Sequence, residues 1–161
     1  MISVTDTTHV RAEPQQVWQF FASMESHYRQ WHPDHIAWQD LEGDATQEGS
    51  VIYATERLGH RYLRGRFFID EVEAKRFFSY RLGFPFSLVR AGGSIRLEPS
   101  EDGGCDLVAE VHAGYRTPVV GSIIDAILRR RIPVEDLRRH MTEEGRNMDR
   151  LLAHSTQRMA A

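Results

Sequence analysis

Between residues 36 and 115 the chain is a succession of short segments, rich in aromatic and β-branched residues and separated by glycines. Five of these segments are SVIYATERL, YLRGRFFIDEV, RFFSYRLGF, GGSIRLEP and CDLVAEVHAGY. This composition and spacing are typical of β-strands joined by tight turns. The succession predicts an antiparallel meander.

The segments before the meander predict one more strand and a helix. ISVTDTTHVRA alternates polar and apolar residues, which favours a strand over residues 2–12. Pro14 stands where a first helical turn accepts proline, and apolar residues follow it at helical spacing. They are Val17, Phe20, Phe21 and Met24. A short helix therefore follows the first strand.

Helical periodicity returns after Pro118. One apolar face is formed by Ile123, Ile124, Ile127 and Leu128. Pro133 restarts the helix, and the sequence VEDLRRHMTEEGRNMDRLL predicts a long C-terminal helix that includes residues 134–152. An apolar stripe on this helix consists of Val134, Leu137, Met141, Met148 and Leu151. We expect that stripe to face the sheet.

Length and charge favour an ordinary globular protein. The 161 residues fit one domain over residues 1–161, and 20 Lys and Arg against 23 Asp and Glu leave a net charge of −3, which gives no general attraction to nucleic acid. No apolar run reaches membrane-spanning length, and the N-terminus lacks the pattern of a signal peptide. Cys105 is the only cysteine, which excludes an internal disulfide, and we interpret it as a small core residue. We expect a cytoplasmic monomer or homodimer.

Residues 10–31, VRAEPQQVWQFFASMESHYRQW, resemble the N-terminal pattern of the START and Bet v 1-like superfamily, which includes polyketide cyclases and related small-ligand proteins. The order of predicted elements resembles the helix-grip fold of that superfamily. The resemblance implies an α+β fold, in which a curved antiparallel sheet of six or seven strands wraps around a long C-terminal helix and encloses a cavity. Carriers, lipid binders, cyclases and hydrolases share this fold, so it does not specify the function.

One acidic residue interrupts the apolar stripe of the C-terminal helix. Position 144 belongs to the stripe but is Glu144, and His140 lies one helical turn before it, with about 5 to 6 Å between the Cβ atoms. A carboxylate that faces an apolar interior is costly unless it is paired or bound to a metal. The pair predicts one edge of a cation site, and a solvated His–Glu pair on the helix surface is the alternative.

Two further donors stand at suitable places in the predicted sheet. In WHPDH, Pro33 stiffens the turn, and the strand that follows points His35 toward the mouth or the interior of the sheet. In VIYATERLGH, Glu56 shares strand parity with Ile52 and Ala54, which favours an inward side chain. Two histidines and two carboxylates suit a borderline divalent ion such as zinc.

The segments YRQWHPDHI, TERLGH and HMTEEGRNM resemble three signature regions of the diacetylphloroglucinol hydrolase family. Members of that family are zinc hydrolases on this same fold, and they cleave a carbon–carbon bond beside an aryl ketone. The resemblance implies a metal site with the ligands His35, Glu56, His140 and Glu144. The turn lacks one acidic residue of the family pattern, which leaves His32 as the alternative to His35.

A zinc site of this kind predicts hydrolysis of a ketone in a phenolic or polyketide-type small molecule. Zinc with an open position polarises the ketone oxygen and lowers the pKa of water, and a proton donor must quench the departing carbanion. The candidate catalytic residues are Tyr28, His32 and His60, together with Tyr53 and Tyr115. Candidate cavity residues for an aromatic ligand are Trp31, Trp38, Phe67, Phe84 and Phe86. The alternative function is a non-catalytic carrier of an apolar ligand, or a metal-free cyclase-like protein.

Overall fold

The computed structural model of the protein describes residues 1–115, Ala126 and 134–159, with side chains as far as residue 154. The strands are β1 (Ile2–Val10), β2 (His35–Glu42), β3 (Val51–Leu58), β4 (Arg61–Glu73), β5 (Phe77–Leu82), β6 (Gly92–Pro99) and β7 (Cys105–Ala113). The helices are α1 (Pro14–Ala22), α2 (Met24–Trp31) and α3 (Val134–Met159), and a 3-10 turn covers Phe86–Val89. The predicted apolar face at residues 123–128 lies outside the described residues apart from Ala126.

The strands form one antiparallel sheet in the order β1-β7-β6-β5-β4-β3-β2. Strands β2 to β7 follow one another as a meander, and β1 pairs with β7 from Ile2 opposite Ala113 to Val10 opposite Cys105. The prediction of a single antiparallel sheet is confirmed. The first strand ends two residues earlier than predicted, and the predicted short helix is followed at once by a second one.

The sequence between β1 and β2 explains the bounds of these two helices. Pro14 opens α1, and the backbone N–H of Glu13 donates to the side-chain oxygen of Gln16 at 3.0 Å, which caps the first turn. Helix α2 ends at Trp31, and His32 has an extended backbone conformation (φ −145°, ψ 141°). Pro33 disfavours a helical conformation at the residue before it, so the chain leaves α2 here and enters β2.

Helix α3 packs against β1, and polar contacts fix its position. Thr142 Oγ1 donates to Asp6 Oδ1 at 2.8 Å, and Arg11 donates to both carboxylate oxygens of Asp149 at 2.8 to 3.2 Å. On the stripe of α3, Leu137, Met141 and Met148 are buried and Val134 and Leu151 are half-buried. The prediction that this stripe faces the core is confirmed for the three buried residues. Among the described helices, none is long and apolar enough to cross a membrane.

The main core lies between the sheet and the helices. It contains Val17, Phe20, Phe21 and Met24 of the predicted apolar set, and Cys105 is buried at the start of β7. The interpretation of Cys105 as a core residue is confirmed. Rings of α1 meet rings of α2 and of the sheet in edge contacts, such as Phe21 with Trp31 at 6.0 Å and with Phe78 of β5 at 5.2 Å between ring centroids. These contacts hold α2, and with it the turn that follows, against the sheet.

Gly145 determines how closely α3 approaches β1. A Cβ atom placed on Gly145 would lie 2.6 Å from Thr8 Cβ and 2.9 Å from Thr8 Cγ2. We therefore expect Gly145→Ala to lower the free energy of unfolding by about 1 to 3 kcal/mol, because the added methyl group forces the two elements apart. Alanine at an unobstructed helical position would instead stabilise the protein by up to about 1 kcal/mol. Urea denaturation of both proteins measures the difference.

Arg146→Ala is the matched control, because Arg146 is exposed on the same helix. We expect this substitution to change the free energy of unfolding by less than about 0.5 kcal/mol. A Gly145→Ala variant as stable as the wild type would show that the contact between α3 and β1 is looser than described.

Candidate metal centre

His35 and Glu56 are neighbours because they occupy paired positions on adjacent strands. His35 is the first residue of β2 and lies directly opposite Glu56 on β3. The turn before His35 is closed by a hydrogen bond from the His35 backbone N–H to the carbonyl of His32 at 3.0 Å. Arg57 binds Asp34 with its Nε 2.8 Å from Oδ1, which ties the turn to β3. The strand register and this ion pair position the first half of the site.

Helix α3 contributes the second half. His140 and Glu144 lie one turn apart on the face that meets the sheet, and Trp31 Nε1 donates to the backbone carbonyl of Glu144 at 2.8 Å. Glu144 Oε1 lies 2.8 Å from His35 Nε2 and 3.5 Å from His140 Nε2. Glu56 Oε2 lies 3.9 Å from both of these nitrogens. We call His35, Glu56, His140 and Glu144 the four-residue cluster.

The donor atoms of the four-residue cluster are close enough to share one ion. One ligand atom from each residue lies within 4.8 Å of the other three. Both histidines are buried, and the two glutamate side chains are 17% and 18% exposed. The structure brings together all four residues that the sequence predicted as metal ligands, from three elements of the fold.

Electrostatics within the cluster are dominated by the two carboxylates. Burial raises the pKa of Glu56, and the nearby charge of Glu144 raises it further. Burial also acts to raise the pKa of Glu144, but the nearby rings of His140 and His35 outweigh it and lower this pKa to about 2. Burial acts to lower the pKa of His140, but Glu144 and Glu56 outweigh it and raise this pKa to about 9. The metal-free site therefore holds an ion pair between His140 and Glu144 beside a second carboxylate.

The Nε2 atom of His140 is the clearest indication of a metal site. Its Nε2 atom is buried and has no hydrogen-bond partner in the part of the chain that the structure describes. Glu144 Oε1 and Glu56 Oε2 are within ion-pairing distance of this nitrogen but not in hydrogen-bonding geometry. Buried polar atoms almost always have a partner. Two imidazole nitrogens and two carboxylates form a donor set that suits zinc.

The hydrogen bonds of the two histidines in the turn distinguish His35 from His32. Together with His140 these two residues form a second group whose donor atoms lie within 4.8 Å of one another. His32 Nδ1 accepts the backbone N–H of Asp34 at 3.1 Å, and His32 Nε2 lies 3.0 Å from Glu143 Oε2. Since a carboxylate accepts, Nε2 of His32 carries the hydrogen, and neither of its ring nitrogens has a free lone pair.

The two ring nitrogens of His35 face different partners from those of His32. Its Nδ1 lies 3.0 Å from the backbone carbonyl of Tyr28, which can only accept, so Nδ1 carries the hydrogen. Nε2 points into the four-residue cluster, where its partner is the carboxylate of Glu144 at 2.8 Å, and an ion bound between the two residues would take the place of this contact. Metal-binding histidines usually donate their second ring nitrogen to a carbonyl or carboxylate in this way. The geometry therefore favours His35 as the ligand.

Tyr28 is the predicted catalytic residue that lies closest to the cluster. Its ring stacks on the ring of His35, with 3.9 Å between centroids and 4° between planes. Its hydroxyl donates to Glu56 Oε2 at 3.2 Å. Burial raises the pKa of Tyr28, and the charges of Glu56 and Glu144 raise it further, so the phenol keeps its proton at neutral pH.

The other candidate catalytic residues lie elsewhere. His60 is exposed in the turn between β3 and β4, Tyr53 is on β3 and does not line the cavity, and the Tyr115 hydroxyl donates to the carbonyl of Leu88 at 2.6 Å. His32 packs beside the cluster, with 4.2 Å between its ring centroid and that of His140. The hairpin turn carries His60 away from the sheet interior, which a prediction from strand order alone could not detect.

A cavity with about 120 Å³ of free space lies against the four-residue cluster. Trp31, Trp38 and Phe67 line it, as the sequence predicts, whereas Phe84 is 79% exposed and Phe86 is not a lining residue. The loop after β5 turns these two phenylalanines away from the interior. Tyr80 also lines the cavity, from β5, and was not predicted as a cavity residue. In the segment RFFSYRLGF, Tyr80 follows Phe78 by two residues, so both side chains lie on the same face of the strand. This spacing could have indicated that Tyr80 faces inward.

Comparisons with known proteins identify the family and the fold. A family model described as polyketide cyclase / dehydrase and lipid transport matches residues 1–147. No curated protein matches the chain at a significant level. The resemblance to the diacetylphloroglucinol hydrolases is not tested by these comparisons and stays a prediction.

Three solved structures show the same architecture. The KanY protein is 15% identical with a TM-score of 0.71, and the match covers 94% of this chain and 97% of KanY. Major latex-like protein 151 from Panax ginseng is 9% identical with a TM-score of 0.68, covering 92% and 95%. The Zhui aromatase/cyclase from Streptomyces sp. R1128 is 16% identical with a TM-score of 0.63, covering 93% and 95%. At these identities the matches show the fold alone, and the predicted helix-grip fold is confirmed.

The ion pair in the metal-free site predicts an unusual titration of His140. Its ring should titrate at about pH 9, because Glu144 favours the protonated imidazole. The shift above 6.5 stabilises the folded metal-free protein fully below pH 6.5, and this contribution is lost as the pH rises through about 9. NMR of the imidazole nitrogens in protein stripped of metal measures the titration directly.

In Glu144→Gln the pKa of His140 should fall markedly, because burial remains while its strongest partner loses its charge. Glu143→Gln is the matched control on the neighbouring residue, whose carboxylate contacts His32. It should leave His140 protonated at neutral pH. A wild-type His140 that titrates near or below pH 6.5 would contradict the described ion pair.

Proposed function

The chain belongs to the polyketide cyclase / dehydrase and lipid transport family, and we propose that it is a metal-dependent hydrolase within that family. The proposed reaction cleaves the carbon–carbon bond beside a ketone in a phenolic or polyketide-type small molecule. The observation that carries the proposal is the convergence of His35, Glu56, His140 and Glu144 beside the cavity, with His140 Nε2 buried and without a hydrogen-bond partner among the described residues.

These four residues would hold the ion, with zinc as the first candidate. When bound, a divalent ion of this class supplies Lewis acidity toward a ketone oxygen and makes water acidic enough to act as a nucleophile at neutral pH. The carbonyl of Tyr28 accepts a hydrogen bond from His35 Nδ1 and so orients the ring, and the indole of Trp31 donates to the backbone carbonyl of Glu144. Such contacts to ligands commonly change metal affinity by about 10- to 100-fold.

Tyr28 is the proposed proton donor. One water molecule is consumed: its oxygen bonds to the acyl carbon, the bond from that carbon to the aromatic ring breaks, and the electron pair stays on the ring carbon. Tyr28 gives its hydroxyl proton to that carbon, and a proton of the water replaces it through Glu56, which already accepts the Tyr28 hydrogen bond. The products are a carboxylic acid and the deacylated arene. The raised pKa of Tyr28 keeps the phenol loaded with its proton until the carbanion forms.

The cavity wall supports an apolar, aromatic ligand. Trp31, Trp38 and Phe67 contribute broad aromatic surfaces, and Ile52 and Ile69 contribute aliphatic ones. Apolar walls with a few polar groups at defined places are typical of small-molecule sites. The same wall favours a second candidate function, in which the protein carries an apolar ligand without metal or catalysis.

Metal analysis separates the two functions. Protein purified without added metal should contain close to one equivalent of zinc or another transition metal, and a chelator should lower its melting temperature, because an ion bound only by the native state stabilises that state. His140→Ala and Glu144→Gln should lose most of the metal and most of the chelator effect. Mass spectrometry of the metal and thermal melts provide the measurements.

Matched controls lie on the same helix. His154→Ala and Glu135→Gln alter exposed residues of α3 and should keep the full metal content. In the turn before β2, His35→Asn should lose the metal, while His32→Asn should keep it, since Asn can still accept the Asp34 backbone N–H. If the wild type contains no metal and the chelator does not change its melting curve, the hydrolase proposal is wrong and the carrier function takes its place.

The reaction itself is tested with a panel of acylated phenols. Metal-loaded protein should release the carboxylic acid and the deacylated phenol, with oxygen from labelled water in the acid. Tyr28→Phe should lower the rate by about 100-fold or more while the metal content stays unchanged, because it removes the proton donor and keeps the ring that stacks on His35. Chromatography of the products measures the rate. A Tyr28→Phe variant as fast as the wild type would exclude Tyr28 as the donor.

A further inference from the structure

We propose that one end of the molecule is a docking surface for an anionic phospholipid bilayer. The surface combines three exposed apolar or aromatic side chains with three arginines. They are Tyr62, Phe84, Leu88, Arg64, Arg66 and Arg90. We call these six residues the loop-end surface. The inference goes beyond the proposed function and does not depend on it, because none of the six lines the cavity or belongs to the four-residue cluster.

Alternation along β4 places Tyr62, Arg64 and Arg66 on the solvent face of the sheet. Phe67 and Ile69 of the same strand line the cavity, and successive side chains of a strand point to opposite faces. The side chain of Tyr62 is 65% exposed, and both arginines are exposed. Neither arginine forms an ion pair among the described residues. Two uncompensated positive charges therefore lie beside an exposed aromatic ring.

The loop that follows β5 lies beside these arginines. The backbone N–H of Gly83 donates to the carbonyl of Arg66 at 2.8 Å, and a Cβ atom on Gly83 would lie 3.6 Å from the Cβ atom of Arg66. From this loop Phe84 projects with 79% exposure and Leu88 with 62%. Apolar side chains that are grouped on a surface and surrounded by polar groups are typical of interaction sites.

Polar contacts hold the loop in place, so Phe84 and Leu88 are presented to solvent by an ordered backbone. The Tyr115 hydroxyl donates to the carbonyl of Leu88 at 2.6 Å, and the backbone N–H of Arg90 donates to the carbonyl of Ser87 at 3.1 Å. The guanidinium of Arg90 lies 5.0 Å from the centroid of the Tyr115 ring. These contacts place the third arginine close to Leu88.

The loop-end surface is positive, although the whole chain has a net charge of −3. Its six residues include three arginines and no acidic residue. Asp136, which lies beside Gly59 in the turn between β3 and β4, already binds Arg139 at 2.7 Å, and Glu135 lies 3.8 Å from Arg138. A second copy of the chain, docked by the same surface, would bring like charges together, which argues against a symmetric dimer at this place.

An anionic bilayer matches both properties of the surface. Arginines near such a membrane are attracted by its negative surface potential, and guanidinium groups bind phosphate oxygens through paired hydrogen bonds. Leucine and aromatic side chains enter the boundary between headgroups and acyl chains. A soluble polyanion would satisfy the arginines but would offer no apolar phase to Phe84 and Leu88. The combination therefore favours the bilayer.

Cosedimentation of the full chain with lipid vesicles tests the docking. The wild type should bind vesicles of phosphatidylcholine and phosphatidylserine, mixed at about 7:3, more tightly than vesicles of phosphatidylcholine alone. Arg64→Gln should weaken this binding about fivefold, because one charge near the anionic surface is lost. Phe84→Ser combined with Leu88→Ser should weaken it about tenfold or more, because the apolar contacts are lost.

Matched control variants alter the same residue types outside the loop-end surface. Arg76, with a side chain 73% exposed, lies in the turn between β4 and β5, and Leu41 of β2 is 47% exposed. Arg76→Gln and Leu41→Ser should bind the vesicles as the wild type does. If the variants of the loop-end surface also bind as the wild type does, the proposal is wrong.

Insertion is measured with a polarity-sensitive dye attached in Leu88→Cys, since Cys105 is the only natural cysteine and is buried. The dye emission should shift to shorter wavelength on addition of the mixed vesicles, while a dye attached in Leu41→Cys should not shift. A wild type that does not bind the vesicles would overturn the proposal. Salt-sensitive binding without a shift at position 88 would also overturn it and would assign the surface to a soluble polyanion.

Discussion

The contact between helix α3 and strand β1 determines whether the candidate centre can exist. Gly145 allows α3 to approach Thr8 closely, and the ion pair between Arg11 and Asp149 prevents the helix from sliding along the strand. The indole of Trp31 binds the carbonyl of Glu144 from the end of α2. These contacts fix the position of α3 along β1 and its rotation about its own axis. Because a rotation of one residue turns a helical side chain by about 100°, the direction of Glu144 depends on them.

The second constraint is electrostatic. Two carboxylates lie in the wall of a largely apolar cavity, where burial and mutual repulsion both act against their ionised forms. His140 offsets the charge of Glu144 in the metal-free protein, but among the described residues Glu56 has only the neutral hydroxyl of Tyr28 as a hydrogen-bond donor. A divalent cation would compensate both carboxylates at once. This imbalance gives the metal proposal its physical basis, together with the lack of a hydrogen-bond partner for His140 Nε2 among the described residues.

The cavity links this centre to ligand selection. Its polar groups are few and lie at separate levels of the sheet, with Tyr28 beside the cluster and Tyr80 farther along. The fold is compatible with many ligands, because it supplies a sheet, a helix and a space between them. The identity of the ligand therefore depends on the side chains that project into this space. In this protein those side chains are largely apolar and aromatic, which suits the proposed phenolic or polyketide-type ligand.

Much of the fold and four of the site residues could be predicted from the sequence by itself. Alternating and helical periodicities specify the strands and α3 because the burial of one face requires them, and His140 and Glu144 are one turn apart in any helix. The sequence could not place His60 or Phe84, which follow turns whose direction is set by packing, and it did not identify Tyr80. Only the tertiary structure distinguishes His32 from His35 as candidate ligands. The two residues share one turn, and they differ in whether a ring nitrogen faces a backbone carbonyl, a carboxylate or the cavity. These groups belong to other elements, so they meet the turn only when the chain is folded.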